Sequence, residues 1–528
     1  MALSSALYWS AYAIWISALF GVARMINGEV TEPYMDEIFH VPQAQAYCRG
    51  AWSYWDGAIT TPPGLYLIPA LITSLRRTLS NSLPQSLVNL NPCSLDSLRF
   101  LNLSILAVLP LLYTSLLISL RRSAIISTSA KKLDSSQAKE AESTSNTARW
   151  EGLVIALMPT VGWWGWLYYT DLGSVALVLG SFRLSLGKKY FASSLVGAAS
   201  LLFRQTNIVW IAFIAGVALV KELTRISSSP KKRKKTQLYD PFLENARPID
   251  LILTPYSLVY LALHNVSSLI PILSAYVPSF LGFLAFIKLN GGIVLGDKSN
   301  HEATVHVPQV YYFIAFSTVF LAPHLVEKKK LQKTFAGLFV TKRRIVTSVN
   351  ALVVMCWTIR NFTIAHPFLL ADNRHYAFYL WRRIINVHPL ARYALTPGYL
   401  FASRLVYQAL IDSKTMRLST FLLFTLSTLL VLVPTPLIEP RYFLTPFLLL
   451  RLYISPPSFG GSPSTSRTSS SRRARLVLEA VLYALVQVAC IWLFLKKPFE
   501  WDVKVGANGK GLDGRDEREL GRKQRFMW

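Results

Sequence analysis

Residues 32–66 hold the side chains best suited to chemistry. Two adjacent acids, Asp36 and Glu37, are followed by His40. A further acid, Asp56, lies among tryptophans and tyrosines. A carboxylate can accept the proton of an attacking hydroxyl, which contributes a factor of about 10² to 10⁴ to the rate. An acidic pair of this kind, next to apolar sequence, suits the transfer of a group from a lipid phosphate to a hydroxyl.

Cationic and aromatic side chains in other polar segments would assist such a transfer. Arg or His can stabilise the negative charge on a departing phosphate, where each well-placed donor contributes about 3 to 4 kcal/mol. Aromatic side chains such as Trp52, Trp55 and Tyr66 would stack on the faces of a sugar. The further segments that carry such groups are residues 168–171, 204–207, 296–306, 366–376 and 439–442.

Each of these residues also has a purely structural explanation. Asp36 and Glu37 would cap or orient a loop, and Asp56 would be a turn residue. Arg441 would form a local ion pair with Glu439, two positions earlier. Function is therefore indicated by the accumulation of such groups on one face of the membrane, and no single residue establishes it.

The sequence assigns no metal site, although Glu37, His40 and His301 leave the question of a metal open. Glu37 and His40 lie three positions apart, which is half of a metal site, but no further ligands follow at a suitable spacing. His301 and His306 would be either ligands or ordinary surface histidines. The sequence also contains no dinucleotide fingerprint, P-loop, paired Cys-x-x-Cys or zinc-protease motif. Soluble nucleotides are therefore not expected as donors.

The composition predicts that these polar segments connect membrane-spanning helices. Of the 528 residues, 52% are hydrophobic and only 16% are charged, and the mean hydropathy is +0.35. Apolar runs near the ~20 residues needed to cross a bilayer recur along the chain. They predict an all-α polytopic membrane protein, a single unit over residues 1–528, with about 11 to 13 transmembrane helices. The predicted spans are residues 6–24, 98–120, 152–187, 190–220, 268–288, 309–326, 345–361, 395–411, 418–436, 441–453 and 476–495.

Positive charge is concentrated in four connecting segments, residues 121–150, 221–250, 327–344 and 455–475. The positive-inside rule places them on the cytosolic face. Membrane topology then explains the net charge of +27, and no nucleic-acid partner is predicted. Counting spans puts the other polar segments on the opposite, luminal face, beginning with a first luminal loop over residues 26–97. This holds if residues 152–187 and 190–220 each form a hairpin and residues 251–264 lie in the interface.

The four cysteines fall into two groups. Cys356 and Cys490 lie inside apolar spans, where they are expected to be packing residues. Cys48 and Cys93 both lie in the first long non-membrane segment, and they would form a disulfide if that side of the membrane is oxidising.

The polar segments together resemble one known family. The motifs are residues 33–40 (PYMDEIFH), 55–56 (WD), 59–66 (ITTPPGLY), 204–208 (RQTNI), 296–299 (GDKS) with His301 and His306, 366–376 (HPFLLADNRHY) and 439–442 (EPRY). They are similar to the eukaryotic endoplasmic-reticulum α-1,2-glucosyltransferases that add the final glucose to the dolichol-linked oligosaccharide. The resemblance covers nearly all the predicted luminal parts of the chain, and its gaps coincide with the basic segments.

This resemblance implies a C-type glycosyltransferase fold in the endoplasmic-reticulum membrane, with a luminal active site and dolichyl phosphate glucose as donor substrate. The acceptor would be the diglucosylated dolichyl-diphosphate oligosaccharide, whose outermost glucose attacks through its 2-hydroxyl with inversion at the donor carbon. The acidic motif of the family maps onto Asp36 and Glu37. We assign Asp36 as the base and Glu37 as the residue that orients the acceptor, with the reverse as the alternative. Inverting displacement needs only one essential carboxylate.

Cationic partners would lower the free energy of moving the donor phosphate into a partly dry cavity. No metal and no cofactor is required in this scheme. The predicted phosphate and substrate ligands are Arg441, Arg374, His375, His301, Lys298, Arg204, Trp55, Asp56 and Tyr66.

Two other classes of function are consistent with luminal charges and aromatic residues. A lipid-phosphate transporter or scramblase would place charged groups through the membrane midplane and would show internal repeats, whereas the ionisable residues here lie mainly in connecting segments. A non-catalytic membrane regulator would give the acidic motif no role, so that Asp36 could be neutralised without loss.

Overall fold

Helices form the regular structure of the chain, as its apolar composition predicts. The computed structural model describes residues 2–82, 84–128, 135–228, 237–298, 302–454, 466–501 and 521–528. Within these ranges no strand forms, and only isolated β-bridges pair short extended stretches. His301 and parts of three predicted basic segments, residues 129–134, 229–236 and 455–465, lie outside the described residues.

The helices are numbered in chain order. The first twelve are α1 (Ala2–Glu29), α2 (Glu37–Cys48), α3 (Gly64–Thr78), α4 (Gln85–Val88), α5 (Leu95–Thr128), α6 (Ser135–Ala156), α7 (Pro159–Trp163), α8 (Asp171–Leu186), α9 (Tyr190–Leu201), α10 (Asn207–Ser227), α11 (Asp250–His264) and α12 (Val266–Asn290). They are followed by α13 (Pro308–Phe320), α14 (Ala322–Leu325), α15 (Lys328–Phe339), α16 (Lys342–Phe362), α17 (Pro367–Ala371), α18 (Tyr376–Leu380), α19 (Ala391–Ala394), α20 (Thr396–Ser413), α21 (Leu418–Leu432), α22 (Leu444–Ile454) and α23 (Ser466–Lys496). Single helical turns of other types occupy Ser80–Ser82, Leu243–Asn245, Trp381–Ile385 and Pro440–Phe443.

Six helices among the described residues are long and apolar enough to cross a bilayer. Their apolar portions contain 21 to 27 residues, which at ~1.5 Å per residue span the ~30 Å hydrocarbon core. The chain is therefore an all-α multi-pass membrane protein, as predicted. Other predicted spans are divided into shorter helices, and the number of about 11 to 13 crossings stays a prediction. The six portions are Ser5–Glu29, Leu95–Arg121, Asn207–Ser227, Val266–Asn290, Lys342–Phe362 and Arg473–Lys496.

The acidic stretch contains helices that its sequence did not suggest. α2 begins directly after Asp36, and α3 follows within the same segment. Ile38 and Val41 lie three positions apart and are both buried, so one face of α2 packs against the core. The predicted first luminal loop, residues 26–97, therefore contains helices, and its luminal position stays a prediction. Pro42, which is normally a helix breaker, lies inside α2.

A disulfide joins the end of α2 to the segment before α5. It connects Cys48 and Cys93, which are 45 positions apart, so the pairing considered from the sequence is confirmed. Cys356 and Cys490 are free, and Cys490 is buried in the core, as expected for a packing residue.

The functional residues collect at one end of the helix bundle, here called the site end. α2, α8 and α10 begin at this end. α1 and α23 both end there, because Arg525 donates to the carbonyls of Glu29 and Phe494 in their last turns. At the opposite end of α23, Arg475 pairs with Glu327 at 3.3 Å, which brings two of the basic segments together. The described parts of these two basic segments thus lie at the other end of α23 from the site end.

Candidate active site

The carboxylates of Asp36 and Glu439 both bind the guanidinium of Arg441. Arg441 Nη1 donates to Asp36 Oδ2 at 2.7 Å, and Arg441 Nε donates to Glu439. Met35, at φ = +55°, turns the chain immediately before Asp36, and such a conformation marks a constrained turn in a non-glycine residue. The Asp36 side chain is 35% exposed. Asp36 is therefore the accessible carboxylate of the acidic pair.

Glu37, in contrast, is fully buried and has all its acceptor positions occupied. Its Oε1 accepts from Arg99 Nε at 2.9 Å and from the Tyr168 backbone N–H at 2.7 Å. Its Oε2 accepts from Arg99 Nη2 at 2.6 Å and from the Tyr34 backbone N–H at 3.0 Å. A carboxylate accepts about four hydrogen bonds, so none is left for a substrate. Glu37 ties α2 to α5 and to the segment before α8.

Two opposing effects set the charge of Asp36. Burial favours the neutral acid, but Arg441, helped by His40 and His375, lowers the pKa of Asp36 to about 2. The backbone N–H of Asp36 donates to the Tyr169 hydroxyl at 3.1 Å, which anchors the turn. At neutral pH Asp36 is therefore a carboxylate that can accept a proton.

His40 and Tyr66 form a buried pair beside Asp36. His40 Nδ1 and the Tyr66 hydroxyl lie 2.6 Å apart, and burial lowers the pKa of His40 to about 4, so its ring is neutral at pH 7. Tyr66 is fully buried, so its ring has no exposed face, and its predicted stacking on a sugar stays a prediction. Trp55, which packs edge-on against Tyr66 with ring centroids 6.3 Å apart, is only half-buried and stays a candidate for sugar contact.

A second ion pair flanks the first. Arg204 Nη2 donates to Asp171 Oδ1 at 2.6 Å, and the Arg204 guanidinium lies over the ring of Tyr442, 5.5 Å from its centroid. Tyr442 directly follows Arg441, so the two arginines are neighbours. The Nε of Arg204 and the Oδ2 of Asp171 are buried and have no hydrogen-bond partner among the described residues. Buried polar atoms are normally satisfied, so this position is suited to a polar ligand or water.

Arg374 and His375, both predicted to bind the donor phosphate, have partners within the protein. Arg374 binds Asp372 through two nitrogens, at 2.7 and 2.9 Å, and Gln524 through a third at 3.1 Å. It is 6% exposed, so its donors are used inside the protein. His375 Nδ1 lies 2.9 Å from the main-chain carbonyl of Trp528, and the ring is near enough to Asp36 to influence its pKa. His375 can thus act on the site, whereas Arg374 holds the structure that carries it.

Two further predicted ligands, Lys298 and Asp56, lie outside this cluster of ion pairs. Lys298 is exposed and donates to the carbonyl of Asn290 at 2.6 Å. Asp56 Oδ1 accepts from the Ala58 backbone N–H at 3.0 Å, as expected for a turn residue. The prediction for His301 falls outside the described residues.

Sequence reasoning missed Arg99, which holds Glu37 in place. Arg99 lies at the start of a predicted membrane span and is 2% exposed. Its Nη1 also donates to the carbonyl of Val30 at 2.7 Å. A charge at the edge of an apolar span is unfavourable unless it is paired. That rule is the signal that would have linked Arg99 to an acid nearby.

An apolar groove of about 590 Å³ is lined in part by Gln205, the residue after Arg204. Its walls come from α9 and α12, including Leu195 and Phe283, and one end is bounded by Pro63 and Gln205. Gln205 follows Arg204 directly and donates to the carbonyl of Thr60 at 2.7 Å. The groove therefore joins two apolar helices to a residue that is next in sequence to Arg204.

Fold and site together define a multi-pass membrane protein with an acid–arginine centre at one end of its helix bundle. The model of the DIE2/ALG10 family matches residues 30–452, which contain Asp36, Arg204 and Arg441. The chain belongs to the DIE2/ALG10 family. The resemblance drawn from the polar motifs is thereby confirmed.

Relatives match the chain over nearly its whole length. A protein of Rattus norvegicus is 34% identical over 502 residues, covering 94% of this chain and 93% of the relative. A Homo sapiens protein is 35% identical over 505 residues, with coverage of 94% and 93%, and an Arabidopsis thaliana protein is 32% identical over 539 residues, with 96% of each chain covered. Each of these relatives is named Dol-P-Glc:Glc(2)Man(9)GlcNAc(2)-PP-Dol alpha-1,2-glucosyltransferase. No solved structure matches the chain significantly.

Proposed function

We propose that this protein is a glycosyltransferase that moves glucose from dolichyl phosphate glucose to the diglucosylated dolichyl-diphosphate oligosaccharide and forms the terminal α-1,2 linkage. The relatives at 32 to 35% identity carry the name of this reaction over nearly the whole chain. The observation that carries the proposal is the accessible Asp36 carboxylate held against Arg441 at 2.7 Å. A base and a phosphate-binding cation are the two groups that the reaction needs.

In the reaction, the 2-hydroxyl oxygen of the outermost acceptor glucose attacks the anomeric carbon of the donor. The bond from that carbon to the phosphate oxygen breaks, and its electron pair leaves on dolichyl phosphate. Asp36 accepts the hydroxyl proton. One displacement inverts the anomeric centre from β to α and needs one base, which fits a motif in which Glu37 is buried and fully hydrogen-bonded.

Arg441 and Arg204 bind the donor phosphate. In the free protein Arg441 is divided between Asp36 and Glu439, so a phosphate competes with Asp36 for the guanidinium. When Arg441 turns toward the phosphate, Asp36 loses its strongest cationic partner and its pKa rises toward the ordinary range. Donor binding therefore converts a weak base into a stronger one. The unpaired Nε of Arg204 supplies a further donor beside it.

The groove between α9 and α12 holds the dolichyl chain of the donor. It is lined almost entirely by apolar side chains, and its volume of about 590 Å³ is in the range of small-ligand sites. Gln205 at its end is next in sequence to Arg204. A lipid lying in this groove would bring its phosphate to the two arginines.

The site faces the lumen of the endoplasmic reticulum, and the basic segments, residues 121–150, 221–250, 327–344 and 455–475, face the cytosol. The positive-inside rule supports this orientation. The Cys48–Cys93 disulfide lies in the same segment as Asp36, and disulfides persist in oxidising compartments. Donor and acceptor lipids enter this single unit from the surrounding membrane, and no metal or other cofactor takes part.

Transfer by purified protein in detergent tests the proposal. Wild-type protein with dolichyl phosphate glucose and the diglucosylated acceptor should form a triglucosylated product whose new linkage is α-1,2 by NMR. The monoglucosylated acceptor serves as the specificity control and should react poorly. If no product forms and the protein moves the donor lipid across vesicle membranes, it is a transporter. If it does neither, the regulator interpretation replaces the enzyme.

A further inference from the structure

Residues 521–528, here called the C-terminal clasp, fold back onto the site end. They follow α23 in sequence and lie beyond residues 30–452, which the family model matches. Gln524 exchanges two backbone hydrogen bonds with Phe499, at 2.7 and 2.9 Å, which returns the chain toward the bundle. Gln524, Arg525 and Met527 are buried. An eight-residue segment without helix thus becomes part of the core beside Asp36.

Arg525 is the centre of this contact. It is 4% exposed, and its Nη1 donates to the carbonyls of Phe494 at 2.7 Å and Leu495 at 3.2 Å. Its Nη2 donates to the carbonyl of Glu29 at 3.2 Å. These carbonyls end α23 and α1, where a cation is favourable because the helix dipole is negative there. One side chain therefore fixes the ends of two membrane-spanning helices.

The backbone of Arg525 holds the turn that presents Asp36. The Tyr34 hydroxyl accepts from the Arg525 backbone N–H at 2.7 Å and donates to the Arg525 carbonyl at 2.6 Å. Tyr34 is two positions before Asp36, and the left-handed Met35 lies between them. A residue in this conformation persists only where its surroundings enforce it. The clasp constrains Tyr34 through the two bonds of its hydroxyl. Glu37 constrains the same residue by accepting from its backbone N–H.

The clasp also holds the opposite wall of the site. Met527 donates its backbone N–H to the carbonyl of Arg374 and accepts from the backbone N–H of Tyr376, both at 2.9 Å. The carbonyl of Trp528 lies 2.9 Å from His375 Nδ1, which sets the direction of that ring. Asp36 and His375 come from distant parts of the sequence, and the clasp contacts the segments that carry both of them.

We propose that the C-terminal clasp is a positioning element for the reaction. Tyr34 and Arg525 are its positioning residues, and they fix the positions of Asp36 and His375 relative to each other. It would act through the geometry of these residues and would not itself touch either substrate. Displacing reacting groups by about 1 Å lowers a rate by about 10²-fold. Loosening the clasp should therefore lower kcat while donor binding persists, since Arg441, Arg204 and the groove remain. The kinetic assay rests on the proposed function, whereas the docking of the clasp does not.

Tyr34→Phe is the mildest test, because it removes only the hydroxyl that bridges the clasp. We expect kcat per mole of donor-binding protein to fall by about 10- to 100-fold with a donor Kd within about twofold of wild type. Arg525→Ala should give at least the same loss, and Arg525→Lys should restore part of it. Lys333→Ala is the control, because Lys333 pairs with Asp412 far from the clasp, where the side chains are 59% and 22% exposed, and it should retain wild-type kcat. Normalising to donor-binding protein removes any effect of a smaller folded fraction, so wild-type kcat in both Tyr34→Phe and Arg525→Ala would overturn the proposal.

A crosslink tests the clasp without any transfer assay. His375 and Met527 are paired across a parallel β-bridge, and neighbouring strands lie about 5 Å apart, within the Cα separation of disulfides. His375→Cys/Met527→Cys, in a Cys356→Ser/Cys490→Ser background, should form a disulfide under mild oxidation, detected by peptide mapping and missing in either single variant. Failure to crosslink would refute docking of the clasp. If wild type transfers no glucose but the crosslink forms, the proposed reaction fails and the clasp stands as a structural feature.

Discussion

Replacing Asp36 by Asn tests the assignment of the base most directly. Asn has the same shape but accepts no proton at neutral pH. Arg441 loses one of its two carboxylates and retains Glu439, so no uncompensated buried cation results. Glu37 keeps its bonds to Arg99, which preserve the start of α2. The substitution therefore removes the chemistry while leaving the local structure nearly intact.

The expected magnitudes separate lost catalysis from lost folding. Removing a general base lowers kcat by about 10²- to 10⁴-fold, which raises the barrier by about 3 to 5 kcal/mol. The ion pair lowers the pKa of Asp36 from 3.8 to about 2, which would be at most about 2.5 kcal/mol of stability. The side chain is 35% exposed, so solvent screening reduces this to about 1 kcal/mol. A domain with about 5 to 15 kcal/mol of stability stays folded after such a loss.

The assay is single-turnover glucose transfer with saturating donor, together with donor binding by the same preparation. Asp36→Asn should bind the donor and transfer glucose at 1% of the wild-type rate or less, by the factor of about 10² or more given above. Asp412→Asn, which makes the same replacement at an acid paired with Lys333 outside the site, is the matched control and should transfer normally.

The reasoning is refuted if Asp36→Asn retains more than about a tenth of the wild-type rate, since a base contributes at least about 10²-fold. It is also refuted if transfer is lost only in proportion to donor binding. Asp36 would then be a binding group, and another residue would have to accept the proton.

The other predictions concern binding, stability and cofactor dependence. Arg441→Lys should raise the donor KM by about 10-fold or more, because a lysine cannot bond two partners through a fork, and an unchanged KM would remove Arg441 from the phosphate site. Cys48→Ser/Cys93→Ser should lower the unfolding free energy by about 4 kcal/mol, as expected for closing a loop with a separation of 45 residues, whereas Cys356→Ser should have little effect in the same denaturation experiment. The melting temperature should fall as the pH drops from about 6.5 to 4. Burial lowers the pKa of His306 to about 4 in the folded protein, whereas an unfolded histidine takes up its proton near pH 6.5. His306→Gln should flatten this part of the plot of melting temperature against pH, and a wild-type slope in the variant would contradict the role of His306. A chelator should leave transfer unchanged, because arginines bind the phosphate in this scheme, and a loss that Mg²⁺ or Mn²⁺ restores would show that a metal is needed.

The sequence by itself determined the class of the protein and the segments that matter. Hydropathy is a local property, so apolar runs predict membrane helices, and the basic segments separate from the polar motifs by charge alone. The acidic pair, Arg441 and the Cys48–Cys93 pairing were all visible as residue types in the right segments. Helix α2 was missed because Pro42 conceals a spacing of apolar residues that is otherwise helical.

Only the tertiary structure decided which of these groups can act. Adjacent side chains diverge at the start of a helix, so Asp36 stays accessible while Glu37, 62 positions from Arg99, becomes fully bonded inside the protein. Arg441 reaches Asp36 across 405 positions and Tyr34 reaches Arg525 across 491. Such contacts depend on how whole helices pack, and no local pattern encodes them. The same packing buries Tyr66, turns Arg374 toward the clasp and leaves Asp36 as the exposed carboxylate.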